Sequence, residues 1–386
     1  MTAARIASIT PFHVMALLAR ARELETQGRR IVHMEIGEPD FDTPQPVVEA
    51  GIRALAEGKT HYTPAVGLAA LREAIARHYY QDVFGVEVDP RRIVVTPGAS
   101  GALQLILALL VDRDSEVLLS DPGYPCNRNF VYLYEGKPVA VPVDEQQHYQ
   151  LTAETLEPYW SDTSCAVMIA SPSNPTGTVV DEAALQAIQD AANAHRCALI
   201  VDEIYNGLTY GERPGTALAH ADESFVINSF SKYFGMTGWR LGWLVAPPEC
   251  VDPLDMLAQN LFLSAPTPAQ YAALAAFQPS TLEILEQRRE QFRARRDFLL
   301  PALRDLGFRI PLVPDGAFYL YADCSAFTDD SFGFAHDLLE QAGVAITPGV
   351  DFGAHRAAQH VRFAYTTSLA QLEEGVERIA AYLRNK

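Results

Sequence analysis

The chain has 386 residues, of which 48% are hydrophobic and 20% charged. That balance belongs to an ordinary globular protein large enough to bury substantial cores, and it excludes disordered, fibrous and small-scaffold classes. Thirty basic against 48 acidic residues give a net charge of -18, which disfavours non-specific attraction to nucleic acid or to an anionic membrane. The five cysteines are odd in number and show no C-x-x-C spacing, so neither a disulfide framework nor a zinc site is signalled, and no metal is expected.

In chain order, "FHVMALLARARELETQG" reads as an amphipathic helix rather than a signal peptide. No apolar run reaches the ~20 residues that a membrane helix needs. A cytoplasmic location is expected. Between about residues 90 and 245, "RIVVTPG", "EVLLSDPGYP", "CAVMIASPSNP", "CALIVDEIY", "SFVINSFSK" and "RLGWLVAP" are candidate strands, and "SGALQLILALLV" and "DEAALQAIQDAANAHR" are candidate helices. Apolar runs without period-2 alternation are expected of strands covered on both faces, which predicts a mainly parallel sheet in an α/β fold. A long charged helix, "TLEILEQRREQFRARRDFLLPALRDLG", follows, with Gly307 as its C-terminal cap. Beyond it, "GAFYLYADC", "FAHDLLEQAG", "VAITPGVDFG", "HVRFAYTTS" and a final helix predict a smaller α+β domain. No linker divides the chain, so the expected units are a large domain over 47–275 and a small domain of 1–46 plus 276–386.

Several strands end in polar residues: Asp121 and Tyr124, Ser173 and Asn174, Asp202 and Tyr205, Ser229 and Lys232. Open α/β sheets bind ligands at the carboxyl ends of their strands, so these segments are expected to deliver side chains to one crevice. Any one pair reads better as loop polarity; the recurrence carries the argument.

Nine segments, "GEPDFDTP", "HYTPAVGLAALREAIA", "TPGASGAL", "DPGYP", "SPSNPTG", "VDEIY", "SFSKYFGMTGWRLGW", "DGAFYLY" and "HVRFAYTTS", run in order from Gly37 to Ser368. Together they resemble the class I/II aminotransferases, pyridoxal phosphate enzymes of fold type I. The resemblance implies that Lys232 forms the Schiff base with the cofactor aldehyde and later moves the substrate's α-proton, the work of a positioned amine. Alone, this lysine would read as a solvated surface charge. The resemblance places Asp202 opposite the cofactor's ring nitrogen, where a buried carboxylate would keep it protonated. Glu203, its neighbour, is assigned to structure. Tyr205 and Asn174 match the residues that hydrogen-bond the cofactor's phenolic oxygen, and Tyr124 the aromatic that stacks on its ring. For the phosphate, amides at Ala99 and Ser100 would stand at a helix start. Ser229, Ser231 and Arg240 would add hydroxyls and a guanidinium. Arg362 matches the clamp on the amino acid carboxylate, with Gly37 as a backbone contact to the same group. Tyr62 would reach the phosphate of a neighbouring subunit, which implies a homodimer.

Two departures bear on the substrate. Aspartate-specific relatives place an arginine near the position of Asn260, which here is followed by Leu261, Phe262 and Leu263, or a lysine at that of Ser100. Neither cation is present, so the expected donor is apolar or broad rather than strictly aspartate. The reaction expected is ping-pong transamination between an L-amino acid and a 2-oxo acid. A C–S lyase or decarboxylase on the same scaffold is the first rival. A ligand-sensing regulator is the second, opposed by the acidic charge.

Overall fold

The computed structural model describes residues 2–211 and 214–385. Its short first strand, Val32–His33 (β1), precedes seven strands that form one sheet: Ile93–Thr96 (β2), Glu116–Asp121 (β3), Lys137–Pro142 (β4), Ser164–Ala170 (β5), Ala198–Asp202 (β6), Phe225–Ser229 (β7) and Gly242–Val245 (β8). Their spatial order is β2-β8-β7-β6-β5-β3-β4, and β8 alone runs against its neighbours. The mainly parallel α/β expectation therefore holds.

The apolar runs are explained by the two layers that cover the sheet. Along β5, Val167 and Ile169 face one core, while Ala166 and Met168 face the other. Both faces being dry, alternation disappears from the sequence. The expected strands and helices are all present, including Gly98–Leu110 and Glu182–Ala194. Not foreseen was β4. It is an edge strand carrying Pro138 and Pro142, half exposed, and so lacks the continuous apolar signature of the others.

The remaining strands, Tyr319–Asp323 (β9), Val344–Ala345 (β10), Thr347–Pro348 (β11) and His360–Ala364 (β12), build two further sheets. β11-β12-β9 is antiparallel, and β10 pairs in parallel with β1. Residues near both ends of the chain thus share one small sheet. The Met34 amide donates to Ala345 O, and the Ala364 amide to Met34 O. The helix Pro279–Asp305 ends in a Schellman motif: Gly307 takes φ +101°, its amide donates to Arg304 O, and the Phe308 amide donates to Leu303 O. Among the described residues no helix is long and apolar enough to cross a membrane.

Candidate active site

Because β2 and β7 both run antiparallel to β8, they are parallel to each other and to β3, β5 and β6. Five chain segments therefore leave the sheet at one edge. Beyond it lies a cavity of about 200 Å³, lined among others by Ala99, Ser100, Tyr124, Asn174, Asp202, Tyr205 and Lys232. Gly37 and Arg362 close it from the substructure built by the two ends of the chain.

Lys232 Nζ donates to Gly37 O at 2.6 Å. Burial pushes its amine down from 10.5 to about 8, and the Arg362 and Arg240 charges add to the effect, while Glu38 opposes it. An amine so shifted is far better supplied with its nucleophilic, basic form at neutral pH than a surface lysine. Asp202 is 6% exposed and accepts one backbone hydrogen bond, from Ile204 at 3.0 Å. Burial raises its carboxyl from 3.8 to about 6. Between those values the folded protein holds a proton that the unfolded chain has released, so this group costs stability as pH rises through that window. Asp202→Asn removes the titration. The variant apoprotein should gain on wild type as pH rises from 4 to 7, by about 3 kcal/mol for a shift of roughly two units. Chemical denaturation of the two apoproteins across that range measures the difference; a pH-independent gap contradicts the assignment.

Arg362 is 3% exposed. It extends from β12, where its register partners are Thr347 and Tyr321. Its Nη1 donates to Asn174 Oδ1 at 2.8 Å, and Nη2 donates to Glu35 O at 2.5 Å and to Thr347 Oγ1 at 3.1 Å. Its Nε is buried without a partner among the described residues. The guanidinium lies over the Tyr319 ring, 4.1 Å from its centroid. Tyr319, within "DGAFYLY", is a lining residue that the sequence does not mark. Its hydroxyl is 2.8 Å from that of Tyr205, and a β-carbon at Gly37 would collide with it, so this glycine is needed for close approach.

At the other end of the cavity begins the helix Gly98–Leu110, whose first amides have no intrahelical partners. Gly98 takes φ +74°, and a β-carbon there would stand 2.6 Å from Arg240 Nη2. The guanidinium is thereby held against a helix N-terminus, a combination suited to a phosphate. Ser229 and Ser231 do not line the cavity. Ser229 Oγ sits 2.8 Å from Ser231 Oγ and 3.0 Å from Leu241 O, so this serine braces the turn that carries Lys232. Tyr62 is 80% exposed and likewise off the cavity of its own chain. Glu203 points away, its carboxylate accepting from the Ala217 amide and the Thr216 hydroxyl, as expected of a structural residue.

Asn260 and its neighbours stand apart from the cavity of their own chain. The Asn260 amide turns back to Met256 O, and none of residues 260–263 lines the cavity. The apolar wall is made instead by Phe12, Val14, Met15, Ile36 and Leu103. Met15 reaches that wall from the helix His13–Thr26, on which it is 53% exposed.

An anion site at a helix start, a buried carboxylate facing a buried amine, and three tyrosines around them fit pyridoxal phosphate in size and charge. The class I and II aminotransferase family model matches residues 29–379. The chain belongs to the class I and II aminotransferase family. Its relatives include a (5-formylfuran-3-yl)methyl phosphate transaminase of Methanocaldococcus jannaschii, 38% identical over 99% of this chain and 100% of that protein. A valine–pyruvate aminotransferase of Mycobacterium tuberculosis is 37% identical over 98% of this chain and 97% of its own length. A crystal structure of an aminotransferase from Mycobacterium tuberculosis matches with a TM-score of 0.96 and 37% identity, covering 100% of both chains. This aminotransferase is thus a fold type I, pyridoxal phosphate-dependent enzyme acting on amino and 2-oxo acids, and the lyase reading finds no support among these relatives.

Proposed function

We propose that the cavity carries out both halves of a transamination with an apolar L-amino acid as donor. Lys232, Asp202 and Arg362 meeting in one cavity is the observation that carries this reading. Ala99, Ser100 and Arg240 would hold the cofactor phosphate, with Ser229 and Ser231 bracing the same turn. Asp202 would hold the ring nitrogen, and Tyr124, Tyr205 and Asn174 the ring and its phenolic oxygen. When bound, pyridoxal phosphate supplies an aldehyde for the donor's amine and a ring that withdraws electrons from the α-carbon.

Lys232 Nζ takes the α-proton of the donor, and its lowered affinity for protons keeps it available as a base near neutral pH. Arg362 binds the α-carboxylate, for which its unpartnered Nε is a spare donor, and Gly37 offers a backbone contact to the same group. Fixing the carboxylate fixes the direction of the α C–H bond. The tyrosines and the Phe12–Met15 segment exclude water. A second subunit would bring Tyr62 to the phosphate, so we favour a homodimer, supported by the exposure of that ring. We also infer two domains, 47–275 and 1–46 plus 276–386, a reading that the separate sheets support. The five free thiols support a reducing, cytoplasmic compartment.

Among the lining residues the only cations are Lys232 and Arg362, both already assigned, and the wall facing the donor's side chain is apolar. That favours the substrate class for which the valine–pyruvate relative is named over aspartate or a phosphate-bearing substrate. With one 2-oxo acid fixed, kcat/KM for valine or leucine should exceed that for aspartate by about 10²-fold. A steady-state comparison showing aspartate preferred overturns the specificity. Release of pyruvate from cysteine conjugates without any 2-oxo acid overturns the reaction.

A further inference from the structure

Beneath the helix Pro125–Leu133 lies a larger cavity, about 330 Å³, that the proposed reaction does not use. It shares Tyr124, Ala170 and Asn174 with the catalytic cavity, so these residues form a common wall. Leu119, Met168 and Phe352 make its lining partly apolar. Besides Asn174, two buried polar side chains line it, Asp121 at 5% and Asn127 at 8% exposure, and Oδ1 of each has no hydrogen-bond partner among the described residues. For Asp121 the geometry shows why. Its Oδ2 accepts from the Ala354 and His355 amides at 2.9 and 3.1 Å, while Oδ1 is turned to Gly353, itself part of the cavity lining. Buried acceptors are normally satisfied, and one left open in a roomy cavity marks where a donor belongs. Arg128 lines the same space and donates through Nη2 to Asp351 O at 2.8 Å.

We propose that this cavity is a second ligand site, and that it takes a free amino acid with an apolar side chain. The zwitterion supplies what each part of the lining lacks. Its ammonium, with three hydrogens, serves Asp121 Oδ1 and Asn127 Oδ1. The carboxylate faces the Arg128 guanidinium, and the side chain rests on Leu119 and Met168. Occupancy acts on the reaction by two routes. One is the shared wall of Tyr124 and Asn174. The other is the strap Val350–Ala354: the Asp351 carboxylate accepts from the His13 and Val14 amides at 2.7 and 2.8 Å, and so positions the Phe12–Met15 segment of the catalytic cavity. Ligands at the two sites must then alter each other's affinity by the same factor.

The choice of ligand rests on the amino acid specificity proposed above, so the test separates the two. The holoenzyme is titrated with α-methylleucine, which has no α-hydrogen to lose, by calorimetry, while the visible cofactor absorbance is followed in parallel. Two sites per chain are expected, one of them silent in the absorbance. Asn127→Leu, which removes one acceptor, should weaken the silent site about tenfold or more and leave the other intact. Ala140→Phe, which fills the edge of the cavity, should abolish the silent site, and either variant suffices should the other not fold. A single site per chain in the wild type, or a silent site unchanged in both variants, overturns the proposal. Silent binding that responds to the variants while the absorbance ignores every amino acid supports this site and counts against the transaminase reading instead.

Discussion

Replacing Lys232 by alanine should lower kcat by about 10²–10⁴-fold through loss of the positioned base alone, and further through loss of the covalent anchor. The expectation follows from where the amine sits. It is buried, held at 2.6 Å from Gly37 O, and has its protonation lowered to about 8 by burial. Among the described residues no other lysine lines the cavity, and the Arg362 guanidinium is engaged by Asn174, Glu35 and Thr347, so no second amine stands in as the base. Steady-state kinetics and the visible absorbance of the purified protein measure the effect together. An added small primary amine should restore part of the turnover, which a merely structural defect would not allow. Full activity in the variant would remove Lys232 from the mechanism.

Arg362→Lys should lower kcat/KM for amino acids by about 10–100-fold, since a hydrogen bond to a charged group contributes about 1.5–3 kcal/mol and each 1.36 kcal/mol is tenfold. Lysine keeps the charge but not the fork. In the native site that fork engages Asn174 Oδ1, Glu35 O and Thr347 Oγ1 at once, with Nε in reserve for a carboxylate oxygen. A lysine cannot replace that geometry or serve all three oxygens at once, although Glu35 O keeps the bond from the Thr347 hydroxyl at 2.8 Å. The diagnostic readout is the ratio of activity with an amino acid to activity with the amine that lacks its carboxylate. That ratio should collapse in the variant; if it is unchanged, Arg362 does not read the carboxylate.

Much of this site was legible in the chain because its residues are tied to strand ends. Asp202 closes β6 and Lys232 lies just beyond β7, so each is announced by the apolar run before it. Arg362 was legible only through its resemblance, since a buried arginine inside β12 carries no local mark. Tyr319 was missed for the same reason, its meaning lying in the Tyr205 hydroxyl and the Gly37 backbone, which come from remote segments. Ser229 reads as a phosphate ligand from its place beside Lys232, and the sequence alone does not show that its hydroxyl also reaches Ser231 Oγ and Leu241 O. The apolar wall that Phe12, Val14 and Met15 give the cavity is not legible in the sequence, because an amphipathic helix does not show what its residues face. β4 escaped since an edge strand with two prolines has the composition of a loop.

The account is tested most directly by a half-reaction. Purified holoenzyme is mixed with a single amino acid, without any 2-oxo acid, and the visible cofactor absorbance is followed with time. Valine or leucine should discharge it in one exponential phase, with one equivalent of 2-oxo acid released per chain, and an added 2-oxo acid should restore it. Absorbance that no L-amino acid discharges, or product that accumulates beyond one equivalent without an acceptor, contradicts it.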